Sequence, residues 1–182
     1  MQDSNSSTNT PTWPRPAVAW FMVGVLVLAF IFSIADRIII SLLVDPIKAD
    51  LDLSDSDMGL MMGPAFALFY ALMGLPIGRA VDKKSRTIIV SVGIFLWSIM
   101  TALCGLARNF LELFLARVGV GVGEATLSPA AYSMIADSFP KEKLGRALGV
   151  YQSGAFLGVG FALIFGGLAI QFAKGAESIA LP

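Results

Sequence analysis

Four ionisable side chains stand where the surrounding sequence is apolar: Asp36 and Arg37, adjacent in one run, and Arg117 and Glu124, seven positions apart in another. A charge in membrane hydrocarbon is costly, so each must face protein or a polar cavity, and such groups mark substrate and proton pathways. On a 3.6-residue helix the seven-residue spacing puts Arg117 and Glu124 on one face, about 10 Å apart along the axis. Gly121 lies between them on that face, while Gly119 and Gly123 lie on another, where missing side chains admit a neighbouring backbone. The four charges sum to zero, so a neutral network needs no unpaired buried ion. Two chemistries are open to them. A carboxylate, Asp36 or Glu124, could gain and lose a proton as its surroundings change, or an arginine could hold an anionic headgroup through paired N–H donors. A fixed structural ion pair is the plain alternative for each.

Most other chemistry is excluded. The chain has no histidine and one cysteine, Cys104, so a disulfide within the chain, a cysteine-rich metal site and a histidine-based triad are ruled out. No nucleophile and base share a suitable spacing, so the reading is not an enzyme, and neither cofactor nor metal is expected. Formal net charge is zero, which leaves no electrostatic case for nucleic acid. Cys104 reads as apolar filler.

The elements that must position the charges are membrane spans. At 56% hydrophobic and 14% charged residues the chain is a poor soluble domain, and the apolar residues fall in long runs. Residues 1–16, rich in Ser, Thr and Asn and broken by prolines, read as a disordered lead-in without the basic start of a secretory signal. Spans follow at 17–44, 58–77, 87–107, 110–136 and 147–173. Between them come a solvated acidic loop at 45–57, with N-cap candidates at 54–57, a basic connection at 78–86, a tight turn at Arg108 and Asn109, and a polar connection at 137–146. Residues 174–182 begin a further outer loop. The chain is thus read as an all-α membrane protein of about five transmembrane helices.

Loop charge sets the expected orientation. With the N-terminus cytoplasmic, inner segments carry Arg15, Arg79, Lys83, Lys84, Arg86, Lys141, Lys143 and Arg146, against Lys48, Arg108 and Lys174 outside. Basic residues are retained on the cytoplasmic side, so the N-terminus is read as inside. Trp13 and Trp20 then flank the cytoplasmic entry of the first span. In that frame Asp36 and Arg117 both lie roughly 10–12 Å below the outer edge of the hydrocarbon and are able to meet, with Glu124 about 20 Å below it.

Several of these residues resemble the major facilitator superfamily. Gly78, Asp82, Lys83 and Arg86 are similar to the signature connection between its second and third spans, although Ser85 and Thr87 depart from the usual glycine and base. Arg117, Gly121 and the adjoining glycines resemble the arginine-glycine motif of its fourth span, and 139–147 its usual entry to the fifth. The Asp36–Arg37 pair, the run RVGVGVGEA at 117–125 and Ser-Pro-Ala at 128–130 look like the spinster-like branch. Ala162 and Leu163 stand where the antiporter motif carries Gly-Pro, so antiport is not inferred.

The resemblance implies the N-terminal helical bundle of a major facilitator fold, with the C-terminal half of the transporter missing. It implies alternating access across the bacterial inner membrane, coupled to protons, with lipid-like cargo such as lysophospholipid or a sphingosine-phosphate-like amphiphile. Asp36, Arg37, Arg117 and Glu124 would serve substrate or proton coupling. The 78–86 connection would serve as a conformational latch, Asp82 bonding neighbouring helix ends in one state of the cycle. Gly119, Gly121, Gly123, Gly154 and Gly158 would serve packing. An arginine and a carboxylate in a cavity suit small organic anions or sugar acids equally well, and a non-transporting scaffold or sensor is the rival of another class. Tyr70, Trp97 and Tyr132 are cavity-lining candidates, with packing as the alternative.

Overall fold

Pro16, with φ preset and no N–H to lose, opens the first helix, and the chain then folds through one helix after another. The structure, a computed structural model, describes residues 13–172, all helix or connection with no strand among them. Most of the lead-in at 1–16 and the loop at 174–182 lie outside the described residues. Helix α1 is Pro16–Leu42.

The acidic stretch at 45–57, expected as loop, is largely helical: α2 is Val44–Leu51. Val44, Ile47 and Leu51 recur at helical spacing and pack on Met58, Met61 and Leu113, which gives a short helix an apolar seat despite its aspartates. Asp52, at φ 51° and ψ 49°, ends it in the left-handed region that aspartate tolerates better than most residues. Ser54 then caps α3, Asp55–Leu60. Its hydroxyl accepts from the Asp57 N–H while the Asp57 carboxylate accepts from the Ser54 N–H. Lys48 and Asp55 clasp α2 to α3, and that carboxylate raises the Lys48 ammonium above its ordinary pKa.

The second span starts earlier and ends later than 58–77. After α3 it widens to π-helix at Met61–Ala65, where Pro64 lacks an N–H and its ring would press on the carbonyl four residues back; one extra residue per turn relieves both. It continues as α4, Phe66–Lys83. The connection expected at 78–86 is therefore mostly helix, with Lys84 and Ser85 alone between α4 and α5, Arg86–Cys104. Nothing from Gly78 to Lys83 forces the helix to stop, and Val81 is buried on it.

The run 110–136, expected as one span, is two helices. α6 is Phe110–Glu124 and α7 is Leu127–Ser138. Pro129 cannot donate to the Ala125 carbonyl and its ring would collide with it, so the ladder breaks there. Thr126 covers the gap by donating its hydroxyl to the Gly123 carbonyl at 2.8 Å. At its start α6 is capped by Asn109, whose side chain accepts from the Glu112 N–H at 3.0 Å. The last helix, α8, is Lys141–Phe161 and passes into π-helix at Ala162–Gly166. That widening sits where the Gly-Pro of the antiporter motif is absent.

Among the described residues four helical stretches are long and apolar enough to cross a membrane: Pro16–Leu42, Asp55–Lys83, Arg86–Cys104 and Lys141–Phe172. The fifth passage is the broken pair α6–α7, running from the α5 turn to Ser138, whose hydroxyl lies 3.8 Å from Met22 Sδ near the start of α1. Glycines decide which helices meet. A Cβ on Gly158 would stand 2.8 Å from the Ile31 carbonyl and one on Gly154 3.2 Å from that of Val27, so α8 lies backbone to backbone on α1. A Cβ on Gly123 would lie 2.8 Å from the Trp97 backbone nitrogen, and one on Gly119 2.6 Å from Met100 Sδ, which seats α6 on α5. The core holds Val23, Val120, Ile135 and Tyr151. Phe21, Phe95, Leu106 and Phe156 point outward, as lipid-facing side chains do.

Candidate functional site

Helices α1 and α6 bring the four charges together. Because Asp36 and Arg37 are consecutive, they leave α1 about 100° apart and meet different partners. Arg117 Nη1 donates to Asp36 Oδ2 at 3.0 Å. Arg37 reaches the other way, where its Nε donates to Glu124 Oε2 at 2.7 Å and its Nη2 lies 2.6 Å from the same oxygen. Two ion pairs thus join the same two helices about two turns apart along α6, with net charge zero.

Their surroundings differ. Arg117 and Glu124 are 3% and 1% exposed, walled in by α1, α4 and α5, whereas a third of the Arg37 side chain is open. Its guanidinium stands over the rings of Phe66 at 4.5 Å and Tyr70 at 5.0 Å, a cation–π shelf on the face of α4. Gly121 allows this: a Cβ there would lie 3.0 Å from the Phe66 carbonyl, so α4 reaches α6 only because none is present. Two polar atoms in the network are buried without a partner, Arg117 Nε and Glu124 Oε1. A buried carboxylate with one oxygen bonded and one bare can accept a proton at the bare oxygen without first breaking its arginine pair.

The other anticipated residues lie elsewhere. Gly78, Asp82 and Lys83 end α4, and no ion pair involves Asp82 or Lys83 among the described residues. Arg86, at the start of α5, pairs instead with Asp137 near the end of α7. Trp97 is buried, its backbone packed against Gly123, and it lines a cavity together with Asp36 and Thr101. Tyr132 is exposed and edge-on to Tyr151 at 5.7 Å. Cys104 lines a cavity with Asp36 and Arg117.

Phe66, Thr101 and Gly93 escaped the sequence reading. The aromatic stripe at Phe66 and Tyr70, four apart on one helix face, was a usable sign of a cation shelf. Gly93 had none: its need is set by Thr126, whose Oγ1 would lie 1.8 Å from a Cβ there.

Residues 25–175 match the family model of the Major Facilitator Superfamily. An MFS-type efflux pump of Mycolicibacterium smegmatis is 37% identical over 86% of this chain and 36% of its own. A probable L-galactonate transporter of Escherichia coli is 31% identical over 74% of this chain and 29% of its own. A crystal structure of a bacterial homolog to the human lysosomal transporter Spinster, inward-facing and unoccupied, superposes with a TM-score of 0.82 at 39% identity. That match covers 92% of this chain and 36% of that one. The chain therefore spans about a third of the length of the relatives it matches. With its helices, glycine contacts and matched residues together, the chain belongs to the Major Facilitator Superfamily and, over the part it spans, is spinster-like.

Proposed function

We propose that this chain forms part of a secondary active transporter that works by alternating access and is driven by protons. The observation that carries the reading is the double ion pair between α1 and α6. Charges at membrane depth are retained where they serve a pathway, and here they sit in buried pairs with a bare carboxylate oxygen on Glu124. Protonating Glu124 would weaken its hold on Arg37 and free that guanidinium on its aromatic shelf. A cargo anion arriving there would compete for the same donors. Proton and cargo are thereby made to exchange at one side chain.

The shelf favours an amphiphile: an anionic headgroup on Arg37 with its apolar body along Phe66, Tyr70 and the neighbouring span surface. Lysophospholipid or a sphingosine-phosphate-like molecule fits that description. A sugar acid is the second reading, supported by the likeness to a probable L-galactonate transporter. Uptake into proteoliposomes holding the full-length parent separates them. Lysolipid uptake driven by a pH gradient, with no sugar-acid uptake, is expected; the reverse removes the lipid reading.

The cell membrane is the proposed location, with the N-terminus cytoplasmic. That orientation puts the basic ends of α4, α5 and α8 inside and the acidic α2–α3 cap outside. The partners are then the bilayer, protons, the anionic or amphiphilic cargo, and a second helical half against which this bundle rocks. The Arg86–Asp137 pair, together with Gly78, Asp82 and Lys83 in the last turns of α4, would latch the cytoplasmic helix ends in one state.

A further inference from the structure

Beneath α2 lies a cavity of about 290 Å³. Its walls are apolar, Ile39, Leu43, Ile47 and Leu113 among them, but its floor is Asp36, Thr101 and Arg117, and the exposed Asp50 stands on its rim. Arg117 Nε and Thr101 Oγ1 of that floor are buried with no hydrogen-bond partner, whereas the Asp36 side chain stays 14% exposed and can meet water. A roomy cavity with several convergent polar groups is where ordered water sits. At ~30 Å³ per water the space holds several.

We infer that this cavity is a water-filled vestibule giving aqueous access from the α2 face to the Asp36–Arg117 pair, and that it does not reach Glu124. The walls name no residue of the Arg37–Glu124 pair, and Glu124 is 1% exposed. The cap around its rim carries Asp45, Asp50, Asp52 and Asp55 against Lys48, a field that concentrates cations, hydronium included, at the mouth. The two ion pairs then differ in which side of the membrane they answer to. The inference deepens the coupling role proposed above and rests on it for its biological meaning, but the vestibule itself is tested without transport.

Cys104 lines the cavity and supplies the probe. In membrane vesicles of the two opposite orientations, a membrane-impermeant cationic methanethiosulfonate should modify Cys104 from the α2 face and not from the opposite face, and Cys104→Ser should abolish that labelling. Asp50→Lys should slow the cationic reagent several-fold and speed an anionic one, through charge alone at an exposed position. Absence of labelling in native membranes, when the same chain unfolded in detergent labels fully, overturns the vestibule. So does labelling only from the opposite face. If Cys104 labels as expected while Asp36→Asn leaves proton-driven uptake unchanged in the full-length parent, the coupling role falls and the vestibule stands.

Discussion

Each of the four charges has one ion-pair partner, and that sets what its removal does. Glu124→Gln keeps the shape and one hydrogen bond to Arg37 but cannot titrate. In the full-length parent it should abolish proton-driven accumulation while expression and insertion persist; uptake that keeps its pH dependence would remove Glu124 from coupling. Arg117→Ala leaves the Asp36 carboxylate unpaired in a largely buried site and should cost about 3–5 kcal/mol in unfolding from detergent micelles, whereas Arg117→Lys should cost less. Combining Arg117→Ala with Asp36→Ala should recover part of the loss, because the unpaired charge goes with its partner. A strictly additive double variant would mean that the two side chains do not interact. That these residues meet was legible in the sequence, since charges in apolar runs have few places to go. The aromatic shelf under Arg37 was not, because Phe66 and Tyr70 in an apolar run look like packing until α6 is seen to lie beside them.

At the scale of elements, the glycine contacts give the clearest contrast. Gly158→Val drives a side chain into the Ile31 carbonyl, a backbone atom that cannot swing aside, and should destabilise the α1–α8 pair by roughly 1–3 kcal/mol. Gly149→Ala meets nothing within 4 Å and should stabilise α8 slightly, by about 0.5–1 kcal/mol, through helix propensity. Thermal unfolding of the two variants in one detergent checks both; similar behaviour would dismiss the close approach. The glycine periodicity in 117–123 and at Gly154 and Gly158 was readable as packing because nothing else explains small residues four apart in a span. Pro129 announces the break at Ala125, but the apolar run continues unbroken across it, so by length alone 110–136 reads as one span. The acidic stretch misled in the opposite sense. Its aspartates suggested loop, but Val44, Ile47 and Leu51 find an apolar seat on residues far along the chain, a tertiary reward invisible locally.

Across the whole molecule, the ends of the helices sort into a basic face and an acidic one. The start of α1, the α4–α5 junction and the α7–α8 junction share the first, and α2, α3 and the α5–α6 turn share the second. Cysteines placed at Lys141 and at Ser54 in a Cys104→Ser background should react with impermeant reagents from the cytoplasmic and the outer side respectively; the opposite pattern would invert the orientation. On the basic face, Arg86→Ala removes a half-exposed ion pair and should change stability by only about 0–1 kcal/mol. A latch role predicts more than that for transport: a shift in the balance of inward and outward states, read by accessibility labelling of the full-length parent, which the charge swap R86D/D137R should restore.

Two tethers between α1 and α6 constrain more than one would. A single pin lets one rod swivel about another, but two pins that leave one rod side by side in divergent directions and meet the other roughly 10 Å apart resist both swivel and slide. The two helices should therefore travel as a single rigid strut while both pins hold. Loosening either pin would return one freedom at a time, so the order in which they loosen would dictate which way the strut turns first.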